Sequence, residues 1–270
     1  MPQNEFNKDT DVTLRHLLSH QSGLPSSNFN YDENQPMPSL PQILSAEKPA
    51  INKPAVPGFT PGLKWSYSNV GYVVIQLLLE DSLDKSLDEL AREVIFEPLK
   101  MNSSTFNYPL KATMQNREAM PHSTEGESKE ASQDSHARAP GGLMTTTNDM
   151  SKLLVEVMKT FNRGSSMIMS AETLRVMLTE QVDVPKEALG FPVAMGLGVF
   201  VDGEGDQVSL MHPGHNYPGS VFLVLAFPGL GQGMALGING NVGDRLEIEV
   251  ASTLAEIYGW PSGNYFKKDE

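Results

Sequence analysis

Two short stretches hold the residues best suited to chemistry. Trp65-Ser66-Tyr67-Ser68-Asn69 sets a phenol and a carboxamide two residues apart, where a loop turns into an apolar run. A tyrosine hydroxyl can carry a proton to or from a reacting group, and an asparagine amide can orient a polar substrate through its N–H and C=O. The start of a helix also exposes unpaired N–H groups that favour anions. The same pattern reads equally as a plain helix cap, with Ser68 or Asn69 closing the first turn and Tyr67 packed beneath it. The second stretch is His212-Pro213-Gly214-His215-Asn216-Tyr217-Pro218-Gly219-Ser220, whose prolines and glycines read as a tight connection between two strands. Two imidazoles so close invite a metal-site reading. No Asp/Glu/His cluster at ligand spacing accompanies them, so neither a metal nor a cofactor is expected. His16, His20, His122 and His136 fall at helix ends or in loops and read as structural or solvated.

The elements that must position these residues follow from periodicity. Thr13–Leu18 predicts a short helix stopped by Ser22-Gly23-Leu24-Pro25. Residues 25–63 carry eight prolines and read as a long loop with one helical turn near Leu40–Ser45. Asn69–Asp81 predicts a buried helix, and Leu87–Phe96 a second with a charged face. Residues 115–140 are poor in apolar side chains and read as a surface excursion. Thr147 or Asn148 is expected to cap a helix over Asp149–Phe161 with Leu153, Leu154, Met158 and Phe161 on one stripe, and Ser170 to cap Ala171–Gln181. After residue 190 the period changes. Val193–Val201, Gln207–Met211, Val221–Phe227 and Gly233–Asn239 predict strands of an antiparallel meander, closed by a helix over Arg245–Tyr258. The fold class is therefore α+β: one domain over residues 1–270, with 10–190 mostly helix and loop and 191–260 the meander and its helix.

Composition narrows the partners. The 270 residues hold 20 Lys and Arg against 33 Asp and Glu, a formal charge of −13, which disfavours nucleic acid and anionic membrane. The longest apolar runs, Val73–Leu79 and Val221–Phe227, are far too short to span a bilayer. With no cysteine there is no disulfide, no thiol nucleophile and no thiolate-bound zinc. The first residues, Met1-Pro2-Gln3-Asn4-Glu5, show neither the basic nor the apolar part of a signal peptide.

In order along the chain, several segments resemble the serine β-lactamase-like superfamily of class C β-lactamases, penicillin-binding carboxypeptidases and related esterases. Thr13–Leu24 is similar to "LRHLLSHTSGL", and Pro61-Gly62 through Asn69 and Gly71-Tyr72 to "PGxxWxYSNxGY". Pro98-Leu99-Lys100-Met101 is similar to "PLGM", with lysine in place of glycine. Gly141–Thr146 with Asp149 resembles "GGLxSTxxD", and Met195–Gly198 resembles "YGLGW". His212-Pro213-Gly214 resembles the "HTG" variant of the Lys-Thr-Gly strand, and Asn239-Gly240 closes the pattern. The resemblance covers about residues 10–260. It implies an antiparallel sheet flanked by helices plus a helical region, acylation of a serine in S-x-x-K, and a small-molecule or peptide substrate without cofactor. It also implies roles: Tyr67 as general acid/base, Asn69 orienting substrate, His212 lining the cleft, the His215 backbone N–H donating to an oxyanion, and Ser68, Pro213 and Gly214 contacting substrate. An exported, periplasmic location is the family expectation.

The departure is the nucleophile. In the family S-x-x-K lies roughly eighty to ninety residues before the Y-x-N tyrosine, which falls ahead of residue 1. Ser45-Ala46-Glu47-Lys48 sits in the proline-rich loop and Ser82-Leu83-Asp84-Lys85 after the Y-x-N helix, so both read as coincidences. The chain is thus expected to be the later part of a serine hydrolase, N-terminally truncated, with an exposed sheet edge that a second copy would cover. Two rivals stand beside it: a non-catalytic binding or scaffold protein on the same fold, and a metal-dependent hydrolase using His212 and His215.

Overall fold

A computed structural model describes residues 4–32, 34–129, 135–241 and 243–261. The first three residues of the polar N-terminus and residues 130–134 of the predicted excursion lie outside the described residues. Two compact units form. The first comprises Met1–Val94, Thr105–Pro109 and Gln133–Met144; the second comprises Ile95–Ser104, Leu110–Ser132 and Thr145–Glu270.

The first unit is helical. Helix α1 (Leu14–Leu18) is closed by Thr13 in a capping box with His16. Helix α2 (Leu40–Ser45) is the turn predicted within the proline-rich loop. Helix α3 (Asn69–Leu83) buries Val70 and Val73, and Leu17, Leu24 and Ala55 pack around Val70. One polar residue sits among these apolar ones. Gln76, 3% exposed, accepts from the N–H groups of Arg138 and Ala139 at 2.9 and 3.0 Å and donates to the His136 carbonyl at 3.0 Å. A buried amide satisfied on both ends binds the returning segment to α3. Helix α4 (Leu87–Ala91) opens with a Ser86–Glu89 capping box, and its buried Asp88 accepts from Thr105, the Phe106 N–H and Asn107. The predicted single helix Leu87–Phe96 divides here, because Arg92–Phe96 widens into a π turn.

The second unit is built on one sheet in the order β1-β2-β3-β4-β5-β6, every neighbour antiparallel. The strands are β1 (Val182–Val184), β2 (Val193–Met195), β3 (Phe200–Asp202), β4 (Ser209–Asn216), β5 (Ser220–Phe227) and β6 (Gln232–Ile238). Short helices α5 (Ala112–Gln115) and α8 (Lys186–Leu189) lie in connections, while α6 (Thr147–Arg163), α7 (Ala171–Met177) and α9 (Gly243–Tyr258) flank the sheet. Leu154 and Val157 of α6 meet Val224 and Ala226 of β5 and Leu174 of α7 in the main core. The observed stripe is Met150, Leu154, Val157, Met158 and Phe161, so Val157 takes the place expected for Leu153. The α6 cap is Thr146, one residue earlier than expected, and Ser170 caps α7 as predicted.

Three strand expectations change. The run Val193–Val201 is a hairpin rather than one strand, because Gly196 N–H bonds back to the Val199 carbonyl at 2.8 Å and Gly198 takes φ +82°. Strand β1 was not expected; its three residues leave too short a run for periodicity to register. The stretch His212–Asn216 is strand, not connection: β4 stays paired with β5 from Leu210↔Ala226 to Asn216↔Ser220. Proline is admitted at 213 because β3 pairs β4 only as far as Met211, which leaves one side of Pro213 without a ladder partner.

Candidate active site

Tyr67, Ser68 and Asn69 share one turn in the first unit. Ser68 is the N-cap of α3: its Oγ accepts from the Gly71 N–H at 3.0 Å and donates to the Pro25 carbonyl at 2.8 Å. At 1% exposure its hydroxyl serves the cap, the plainer of the two readings open in the sequence. Tyr67 is 42% exposed, and partial burial raises its phenol above the usual value, so it is a neutral O–H at pH 7. Asn69 faces the loop after α1. Its Oδ1 accepts from the Ser27 N–H at 2.8 Å and from Ser26 Oγ at 3.3 Å, while its Nδ2 donates to the Ser27 carbonyl at 2.6 Å. One amide hydrogen remains beyond those bonds.

His20 is the residue whose part in this turn escaped sequence reasoning. It is 1% exposed with φ +56°, and its Nδ1 accepts from the Ser68 N–H at 3.1 Å. Its carbonyl accepts from the Ser66 N–H at 2.8 Å. The ring lies 4.5 Å from that of Tyr67 and 5.4 Å from that of Tyr72. Tyr72 in turn donates to the Leu18 carbonyl at 3.2 Å, and burial followed by the neighbouring Tyr67 raises its phenol well above the usual range. His20 therefore clamps residues 66–68 by main chain and ring together. The available signal was its place inside the Leu14–Leu24 motif; only the long-range contact, 48 residues away, gives it meaning.

His212, Pro213, Gly214 and His215 share strand β4 in the second unit. The imidazole of His212 lies 5.8 Å from the Phe200 ring, tilted by 48°, and its Nδ1–H donates to the Pro213 carbonyl at 3.0 Å. That bond leaves Nε2 as the acceptor of the neutral ring. Burial pushes the His212 imidazole below its usual value, against the Pro213 carbonyl, so it is neutral at pH 7. His215 turns its Nε2 to Glu247 Oε1 of α9 at 3.1 Å. The turn after β4 is held from below: the His122 N–H donates to the Asn239 carbonyl at 2.9 Å and the Asn241 N–H to the His122 carbonyl at 3.0 Å. Gly219 presses on that strap, for a Cβ there would stand 2.3 Å from the His122 carbonyl oxygen.

The two S-x-x-K strings are not arranged as nucleophile and base. Ser45 Oγ donates back to the Pro41 carbonyl at 2.8 Å, as a helix-end serine does. Ser82 lies in the last turn of α3, and the Lys85 ammonium pairs with Glu93. Among the described residues no group of three or more His, Asp or Glu is placed to hold a metal ion.

One unit is an antiparallel sheet flanked by helices and the other is helical with Tyr-Ser-Asn at a helix start, which together make a mixed helix and antiparallel-sheet fold. The chain belongs to the beta-lactamase family, whose model matches residues 1–256. It is 31% identical over 93 residues to penicillin-binding protein 4* of Bacillus subtilis (strain 168), a match covering 34% of this chain and 21% of that protein. Among solved structures it is similar to an octameric penicillin-binding protein homologue from Pyrococcus abyssi, with a TM-score of 0.71 and 25% identity over 92% of this chain and 56% of that one. D-amino acid amidase from Ochrobactrum anthropi superposes with a TM-score of 0.62 at 22% identity, over 84% of this chain and 64% of that chain. The match thus spans about a fifth of the length of the curated relative. Among the described residues no helix is long and apolar enough to cross a membrane.

Proposed function

We propose that this chain carries the Y-x-N and strand motifs of a serine hydrolase that cleaves an ester or amide through an acyl-serine. In this reading neither Ser45, bonded back to the Pro41 carbonyl, nor Ser82, in the last turn of α3, is the acylated serine. Membership of a family whose relatives include an amidase and penicillin-binding proteins supports the reaction class. The observation that carries it is Tyr67, a neutral, half-exposed phenol fixed by the His20 clamp at the start of α3. In this role it passes a proton between nucleophile and leaving group, and the spare amide hydrogen of Asn69 meets the substrate carbonyl. The His215 backbone N–H serves the oxyanion, with Pro213 and Gly214 contacting substrate. A neutral His212 at the strand motif offers no positive charge to a substrate carboxylate, which favours esters and amides over β-lactams. Self-association across the outer strand completes the proposal, and the octameric relative supports it.

The test is turnover and covalent labelling of the whole gene product with a serine-reactive probe. Tyr67→Phe is expected to cut kcat by roughly a hundredfold or more while the protein still folds. Undiminished turnover would remove Tyr67 from the mechanism. The internal arrangement of Ser45 and Ser82 favours one second reading, a non-catalytic binding protein on the same fold. A whole protein that binds ligand but never gains an adduct belongs to that class.

A further inference from the structure

The second unit holds a cavity of about 710 Å³ between α7, the β1–β2 end of the sheet and the β3–β4 connection, with neither His212 nor His215 in its lining. Its size falls within the range of small-molecule sites. The floor is hydrocarbon: Leu174, Leu178, Val201 and Val208 line it and belong to the main core, so the opening reaches down to packed side chains. The rim is acidic. Glu180, Asp183, Asp202, Glu204 and Asp206 surround the opening, opposed there by Arg175. Among the described residues none of these five carboxylates is engaged in an ion pair, whereas acids elsewhere are, such as Asp149 with Lys152 and Glu156 with Lys159.

Unpaired like charges around an apolar hole repel one another and attract a cation. A bare metal ion does not suit them, since they are not gathered into a ligand set and the floor offers no donors. An anionic or purely hydrophobic ligand leaves the rim uncompensated. We propose that this cavity binds a small amphiphilic organic cation, with its apolar body on Leu174, Leu178, Val201 and Val208 and its ammonium group among the rim carboxylates.

Calorimetric titration of the chain tests this, using decyltrimethylammonium below its micelle concentration. The expected result is saturable one-to-one binding. Decanoate, with the same kind of body and the opposite charge, and spermine, with charge and no body, should each bind at least roughly tenfold more weakly. The paired change Asp183→Asn with Glu204→Gln should weaken binding of the ammonium roughly fivefold. Ala171→Trp, which fills the opening from α7, should abolish it. If Ala171→Trp fails to fold by circular dichroism, the paired rim change alone decides. Equal affinity for decanoate, indifference to the rim change, or no saturable binding at all overturns the proposal.

Discussion

A single carboxylate shows how residues in the second unit hold its elements together. Asp149, 2% exposed in the first turn of α6, accepts from the Ser103 N–H at 2.7 Å and Ser104 Oγ at 3.1 Å, and pairs with Lys152 at 2.7 Å. Burial alone would raise its carboxyl, but the bonds from Lys152, Ser103 and Ser104 together outweigh that and hold it below the usual value. A carboxyl lowered by folding stabilises the native state fully above its unfolded value, near 3.9, and loses that contribution as pH falls through its folded value. The second unit should therefore weaken below about pH 4. Asp149→Asn should cost about 2 kcal/mol at neutral pH and flatten this acid dependence, as read from urea midpoints at pH 3 and pH 7. An unchanged slope would assign the acid sensitivity to other groups. Sequence patterns placed Asp149 in a motif; its donors at 103 and 104 come from another part of the chain and have no local signature.

At the scale of elements, legibility tracked locality. The helices α1, α2, α3 and α9 stand close to where caps and periodicity put them, since those signals lie within a few residues of each end. Errors arose where a neighbour decides. The β2–β3 hairpin depends on a close approach, for a Cβ on Gly196 would stand 2.3 Å from the Met177 carbonyl oxygen. The strand character of His212–Asn216 depends on pairing with β5, which overrides the turn-forming composition of the stretch. The one departure inside the "PLGM"-like segment has a direct physical reading. Lys100 sits at φ +55°, a left-handed conformation that glycine adopts without strain and a side chain does not. Lys100→Gly should raise the stability of the second unit by about 0.5–1 kcal/mol, seen as an increase of a few degrees in Tm. A lower Tm would mean that the lysine side chain contributes more than its backbone costs. For the candidate site, spacing and resemblance singled out the turn of Tyr67 and Asn69 at the start of α3, while the clamp by His20 required the fold.

For the molecule as a whole, charge and edge act in opposite directions. A formal charge of −13 keeps copies apart, while β6 closes the sheet among the described residues with half-buried Met234, Ala235, Leu236 and Ile238 on its outermost strand. Salt screens the first and leaves the second. Light scattering should therefore give a mass above that of one chain, rising with protein concentration and with salt. A single-chain mass under all conditions would refute self-association. The same molecule also sets limits on redesign. Beneath the β4–β5 turn, the His122 strap leaves no volume above Gly219, whereas Tyr217 two residues earlier is 80% exposed. A saturation library across this turn would be a two-speed alphabet: position 217 accepting nearly every letter, position 219 returning glycine alone, so that any relative with another residue there must have rerouted its strap.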